Sequence, residues 1–374
     1  MKRIRLSVLI LSACFVSVAW GKPPACTAHT PWVEFHRYNM QRWNQCENLL
    51  SVSTVGNLGL KWSFTTSDYV FSSPAVVSAV VYVGSDDDNV YALNATTGAK
   101  LWSFTTGNVV GSSPAVENGV VYVNSYDKNV YALNASTGTT LWNSSGGGFS
   151  SPTVVNGVVY VGSGKNNVYA LNASTGAKLW SYTPGGAVGS SPAVANGVVY
   201  VGSYDNNLYA LNASTGAKLW NYTTGGYVLS SPAVANGVVY VGSYDNNVYA
   251  LNASTGAKLW SYAAGDVVAS SPAVANGVVY FGSYDNKVYA LKAATGVKLW
   301  SYTTGGVVYS SPAVANGVVY VGSDDNNVYA LNAKTGAKLW SYTTGGGVYT
   351  SPSVTNGVVY VGSDDGNVYA FGLQ

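Results

Sequence analysis

The chain has 374 residues, 47% hydrophobic and only 9% charged, with 18 Lys and Arg against 16 Asp and Glu for a formal charge of +2. A charge this sparse and balanced supplies neither the steering field of a nucleic-acid binder nor a surface made for an acidic partner. The polar surface must come instead from Asn, Ser, Thr, Gly and Tyr, which suits adaptable contacts with protein or carbohydrate.

The first element reads as an address. Lys2, Arg3 and Arg5 precede an apolar run from Leu6 to Trp20, and Ala19-Trp20-Gly21 offers small residues for a cut after Gly21. A signal peptide over 1–21 is expected, and with it a secreted or periplasmic location. The apolar run is too short for a comfortable membrane span, so no transmembrane segment is expected. A second reading takes Leu11-Ser12-Ala13-Cys14 as a lipobox, with a lipid anchor on Cys14. Residues 22–59 form a lead-in whose Cys26 and Cys46 are an even pair. In an exported chain that predicts one disulfide, worth about 3 kcal/mol. His29, His36, Arg37, Met40 and Arg42 occur here, and the chain from residue 60 onward has no His, Cys, Arg or Met. A zinc site from Cys26, His29, His36 and Cys46 would have a spacing that matches no common finger.

From residue 60 the chain repeats. Tryptophans stand at Trp62, Trp102, Trp142, Trp180, Trp220, Trp260, Trp300 and Trp340. The repeats approximate SSPAVANGVVYVGSYDNNVYALNASTGAKLW, as over 190–220, where Leu208 replaces one Val. SSPAV, VVYVGS, NVYALN and KLWSY have the β-branched and aromatic content of short strands, and Asn-Gly, Asp-Asn and Thr-Gly turns separate them. Connections this short force antiparallel neighbours, and no segment has the length and period of an amphipathic helix. Four strands in about forty residues make a propeller blade. The tryptophan strand occurs first at 60–64, before any SSP strand, and the last repeat stops without one. The expected fold is therefore all-β: an eight-bladed β-propeller over 60–374, of four-stranded antiparallel blades. Strand 60–64 pairs with the last blade to close the ring and remove both open edges.

The run YALNASTGAKLW resembles the tryptophan-docking motif of the pyrroloquinoline-quinone-type eight-bladed propellers, whose usual form has Asp where Asn212 stands. The resemblance covers roughly 32–374 and extends, in fold, to the outer-membrane assembly lipoprotein propellers. It implies that the eight tryptophans are structural, each wedged between blades; Trp220 would pack with Ala210 and Gly216 of its own repeat. Lys292 departs from the motif's Asn/Asp slot. Residues 32–62 resemble the family's lead-in, expected to wrap the outside of the ring and deliver strand 60–64.

The resemblance also raises quinone chemistry. Quinoprotein dehydrogenases of this fold are expected to hold pyrroloquinoline quinone with an arginine, calcium, an adjacent-cysteine disulfide and a catalytic Asp. The ring here has no Arg or Cys and one Glu, Glu117. Without His, Ser-His and Cys-His nucleophile pairs are also absent. Asp87, Asp127, Asp205, Asp245, Asp285, Asp325 and Asp365 recur in one turn, where Asp is expected for local backbone bonding. Asp86-Asp87-Asp88-Asn89 and Asp324-Asp325-Asn326-Asn327 are oxygen-rich enough to raise weak calcium binding, but neither continues into an EF-hand loop. The leading expectation is a non-catalytic exported scaffold or binding module, monomeric, without cofactor or catalytic residues. The alternative is a quinoprotein alcohol or sugar dehydrogenase with pyrroloquinoline quinone and calcium.

Binding residues should lie where the repeats differ. The slot before Ser-Ser-Pro holds Phe71, Gly111, Phe149, Gly189, Leu229, Ala269, Tyr309 and Tyr349. Just upstream stand Tyr69 and Tyr227, with Asp68, Asn108 and Asp266 replacing the usual Gly. In a propeller these positions ring the channel mouth, on the face shared with the Tyr-Asp-Asn-Asn turns. The expected binding rim is therefore Asp68, Tyr69, Phe71, Asn108, Phe149, Tyr227, Leu229, Asp266, Tyr309 and Tyr349.

Overall fold

A computed structural model describes residues 31–36 and 40–374. The expected signal peptide, Cys14, Cys26, His29 and Arg37 lie outside the described residues. Blade 4 typifies the ring: Ala193–Ala195, Val198–Gly202, Asn207–Asn212 and Lys218–Thr223, each antiparallel to the next from the inside outward. Eight such sheets form the ring, so the architecture is an all-β eight-bladed propeller. No described helix is long and apolar enough to cross a membrane.

The strand patterns follow from stacking. Leu208, Tyr209, Ala210 and Leu211 are all buried because a neighbouring blade covers each face of the sheet, so the third strand reads as a continuous apolar run. The outer strand has a free edge, and around Trp180 it alternates between exposed and covered residues. The first turn of each blade needs two consecutive left-handed residues. Asn196 (φ 51°) and Gly197 (φ 75°) supply them cheaply, whereas blade 1 uses Ser78 and Ala79 at φ 50° and 62°.

Closure is by Leu58–Thr65 against Asn367–Leu373, antiparallel, from Leu58 opposite Leu373 to Thr65 opposite Asn367. The expected strand 60–64 is the centre of this pairing. The eighth blade thus takes its outer strand from before the first repeat and its other three from the last.

Each indole, however, is completed by the following repeat rather than its own. Trp220 sits beside Ala210 in the sheet register, but its Nε1 donates to the Ala253 carbonyl at 3.1 Å. A Cβ on Gly256 would come within 2.7 Å of its ring. Gly216, expected under Trp220, instead lies against Trp180. The reason is geometric. The motif's Thr-Gly turn faces the preceding blade, so the contact that looks local in sequence spans an interface. The same donation runs from Trp62, Trp102, Trp142, Trp180, Trp260 and Trp300 to Ala95, Ala135, Ala173, Ala213, Ala293 and Ala333. The repeat after Trp340 reads Phe371-Gly372-Leu373 where the others have the Asn-Ala turn, and Trp340 donates instead to the Leu58 carbonyl in the closing strand.

The described start of the lead-in does not wrap the outside. Residues 32–36 and 40–44 run along the channel side of the ring, where the inner strands have an unpaired edge. Trp32 bridges Val76, and the amides of Val116, Val234, Val274 and Val314 donate to the carbonyls of Val33, Met40, Gln41 and Arg42. Val154 N donates to the Glu34 carboxyl, and Trp43–Asn44 adds a parallel fifth strand inside blade 7. Inner-strand N–H groups would otherwise be buried without partners, and this requirement draws the segment inward. Cys46 is disulfide-bonded, which removes the thiolate that a zinc site would need.

Gly256 and Gly237 separate the indole contact from backbone strain, since both have φ above +70° but nothing lies within 4 Å of a Cβ at Gly237. Gly237→Ala should cost about 1–2 kcal/mol of left-handed strain. Gly256→Ala should add a further ~1–3 kcal/mol of overpacking against Trp220. Denaturant unfolding of both variants checks this; equal losses would contradict the docking described.

Candidate functional site

The channel opens on one face as a cup of about 650 Å³ built in two layers. Its upper wall is the eight variable residues Phe71, Gly111, Phe149, Gly189, Leu229, Ala269, Tyr309 and Tyr349, one per blade. Below them lie Ser73, Ser113, Ser151, Ser191, Ser231, Ser271, Ser311 and Ser351. Each of these serines accepts, at its Oγ, the backbone N–H of the equivalent serine in the preceding blade, at 2.8–3.0 Å. The eight bonds form a closed circle. The hydroxyl protons find no acceptor among the described residues, so eight donors face the cup.

Phe35 of the lead-in lines the cup from below. Arg42 holds this floor: its guanidinium, wholly buried, donates to the carbonyls of Pro312 (3.0 Å), Ser311 (3.4 Å), Pro352 (3.1 Å) and Phe35. Desolvation lowers its pKa to about 9, and the four carbonyls supply the acceptors that a buried cation requires. His36, equally buried, rests its Nε2 3.3 Å from the Ser191 carbonyl, and burial followed by Arg42 depresses its pKa to about 3. It is therefore neutral throughout the physiological range and engaged beneath the cup.

Around the mouth an unbroken arc of rings crosses six blades: Tyr69, Phe71, Tyr349, Tyr309, Tyr284, Tyr244, Tyr227 and Tyr204. Successive centroids are 5.2–6.2 Å apart. Tyr126 and Phe149 form a separate pair at 4.3 Å. Many of these rings are exposed, Phe149 to 53% and Tyr69 to 50%. In the blades of Tyr309, Tyr349 and Phe71, Asp324, Asp364 and Asp86 occupy the turn slot that carries Tyr or Gly in the other blades. Burial, then Asp324, Asp86 and Asp365, raise Asp364 to about 6; burial, then Asp68, Asp87 and Asp88, raise Asp86 to the same level. Asp324 accepts the Tyr349 hydroxyl.

Of the ten residues expected at the rim, Phe71, Phe149, Leu229, Tyr309 and Tyr349 line the cup. Tyr69 and Tyr227 belong to the arc outside it. Asp68, Asn108 and Asp266 each turn an Oδ1 back onto the next residue's N–H at 2.7–2.8 Å and so act as local caps. Sequence reasoning missed Tyr126, Tyr204, Tyr244 and Tyr284, which it treated as turn residues, and the serine circle. Exchange of Tyr for Asp or Gly in one turn slot was the available signal.

The recurrent turn aspartates have internal duties. Asp205 accepts the Tyr209 hydroxyl at 2.7 Å, and the amides of Gly185 and Asn207. Burial alone would raise its pKa, but these bonds outweigh it and hold the carboxyl below the usual range. Asp87 and Asp325 are bonded in the same way. The two calcium-like turns thus spend their central carboxylate on their own blades. Among the described residues, no three His, Cys, Asp or Glu are grouped to hold a metal.

The family profile described as outer membrane protein assembly factor BamB matches residues 59–151, 143–232, 223–309 and 303–373. The chain belongs to this family. BamB from Moraxella catarrhalis superposes with a TM-score of 0.74 at 20% identity, over 84% of this chain and 99% of that one. Quinohemoprotein alcohol dehydrogenase from Comamonas testosteroni gives 0.81 at 18% identity, over 92% and 80%. The computationally designed Ika8 protein gives 0.75 at 18%, over 82% and 97%. At these identities the likeness is one of fold. No curated protein sequence matches the chain.

The dehydrogenase likeness requires a test of fit for pyrroloquinoline quinone, a polycarboxylate. The cup's lining holds no Lys or Arg, its rim carries carboxylates, and Arg42 is consumed by four carbonyls under the floor. An anionic quinone does not fit this donor set.

Arg42→Ala should lower stability by roughly 3–5 kcal/mol by stranding these carbonyls. Exposed Lys258→Ala should change it by less than about 0.5 kcal/mol. Urea unfolding distinguishes the two; a neutral Arg42→Ala would refute the role of Arg42 in holding the floor.

Proposed function

We propose that this chain is an exported, non-catalytic propeller that binds another protein in the cell envelope or outside the cell, acting through the cup face as a monomer. In this reading residues 1–21 are a signal peptide, 22–59 a lead-in tied by Cys26 and Cys46, and 60–374 the ring. The observation that carries it is the asymmetry of the cup. Packing residues largely repeat from blade to blade, while the slot at the mouth changes among Phe, Gly, Leu, Ala and Tyr, and there it collects an exposed aromatic arc of the kind that anchors protein interfaces. The family's description as an assembly factor accords with a role in holding partners. The cup's donor set accords with it too, since it offers an anionic quinone no cation.

Replacing Phe71, Tyr309 and Tyr349 together with Ser should leave the fold intact and weaken capture of a specific envelope protein at least tenfold. The unaltered protein, incubated with pyrroloquinoline quinone and calcium, should reduce no dye with alcohols or sugars. Retained capture by the triple variant, or quinone-dependent dye reduction, would overturn the proposal.

A further inference from the structure

We propose that the face opposite the cup docks on a membrane surface rich in anionic lipid, through lysines and leucines repeated around its rim. The proposal goes beyond the protein-binding reading and concerns the other face of the ring, so either can fail without the other.

The balanced charge of the sequence is the sum of two opposed faces. In each blade the third strand runs from the turn at the cup, Tyr-Asp-Asn-Asn in blade 4, to the Asn-Ala-Ser-Thr-Gly turn on the opposite face. There the outer strand begins, with Lys218-Leu219-Trp220. Every Asp of the chain lies in the turns and loops of the cup face, where the ring has only Lys128, Lys165 and Lys287 to set against them. The other nine lysines of the ring lie on the opposite face, and all nine are exposed. The acids on that side offer them little compensation. Glu34 and Glu47 are buried and accept backbone N–H groups of Val154 and of Leu49, Leu50 and Gly357, and Glu117 is half-buried.

Apolar side chains divide in the same way. Among the described residues, the exposed large aromatics belong to the cup face and the exposed leucines and valines to the other. Leu219 and its equivalents in blades 1 to 6 are 49–52% exposed. Leu49 and Val52 of the lead-in, also exposed, lie against Gly357 and Gly317 in the Asn-Gly turns of that face. The register fixes the level of the repeated pairs. Lys218 stands opposite Leu211, Lys258 opposite Leu251 and Lys298 opposite Leu291. Positions related by the rotation of the ring share one height along its axis, so these pairs lie in a plane.

A bilayer surface matches this arrangement in three ways. It is flat, as the circle of pairs is. It is also laterally uniform, so it engages every blade at once, whereas a folded protein would meet near-identical sites with nothing to choose among them. Finally, it accepts both kinds of side chain: leucines enter the acyl boundary while lysines reach the anionic headgroups. A nucleic acid would use the lysines and leave the leucines in water. The same surface repels the Asp-bearing face, which turns the cup outward.

The test sediments the full chain with vesicles of phosphatidylcholine, and with vesicles of equal parts phosphatidylcholine and phosphatidylglycerol. The anionic vesicles should bind at least tenfold more tightly, and that affinity should fall at least tenfold from about 0.05 to 0.5 M salt. Lys218→Gln, Lys258→Gln and Lys298→Gln together should weaken it at least tenfold. Leu219→Ser, Leu259→Ser and Leu299→Ser together should weaken it at least threefold, each variant keeping its circular dichroism. Lys128→Gln, Lys165→Gln and Lys287→Gln remove the same charge from the cup face and should change it less than twofold. Equal binding to the two vesicles, an unaffected Lys218 triple variant, or an equal loss in the cup-face variant would each overturn the proposal. A leucine variant that binds unchanged, with soluble polyglutamate held as tightly as the anionic vesicles, would assign the face to an acidic protein and overturn it as well.

Discussion

The structure depends on one displaced interaction: each repeat's indole is completed by the repeat that follows. Trp220 needs the Ala253 carbonyl and the bare backbone of Gly256, neither of which its own forty residues supply. A single repeat therefore cannot satisfy itself, and a row of repeats always leaves a last tryptophan without a seat. Trp340 finds its seat at Leu58, ahead of the first repeat. Closure is thus a hydrogen-bonding requirement as well as a matter of covering sheet edges.

The same logic acts at the inner circumference. Each ring serine fills its neighbour's need, so the circle has no first or last member. The inner strands still present amides toward the axis, and the non-repeating lead-in provides for these, carrying the buried Arg42 with its four carbonyl acceptors. Near-perfect repetition alone would leave an open pipe. One irregular segment of the chain makes it a cup with a floor.

Features that recur at a fixed spacing were readable from residues alone: the strands, their turns, the blade count and the pairing of 60–64 with the last blade. The variable slot was readable too, because periodicity identifies its eight members and the fold places them in one circle. What escaped reading has physical causes. Gly216 is contiguous with Trp220 in sequence, yet the Thr-Gly turn faces backward, so adjacency suggested the wrong partner. The lead-in's attachments are mostly to backbone N–H groups, which carry no residue signature. Ser191 and its equivalents looked like strand filler because a hydrogen-bonded circle is a property of the closed ring. Tyr204, Tyr244 and Tyr284 looked like turn residues, and the contacts of Tyr204 with Tyr227, Tyr244 with Tyr284 and Tyr284 with Tyr309 cross blades. The resulting molecule separates its tasks: uniform positions hold the ring together, and departures from uniformity gather at one mouth.

Closure can be measured by linking the two ends of the ring. Thr65 and Asn367 face each other, with the Thr65 hydroxyl 2.6 Å from the Asn367 amide oxygen, although they are far apart in sequence. With Thr65→Cys and Asn367→Cys introduced together, the account predicts that a disulfide forms under mild oxidation in the native protein and raises the unfolding temperature. Reduction should reverse the gain. Failure of the two thiols to join in the folded protein, or a disulfide that forms only between separate molecules, would contradict the closed ring.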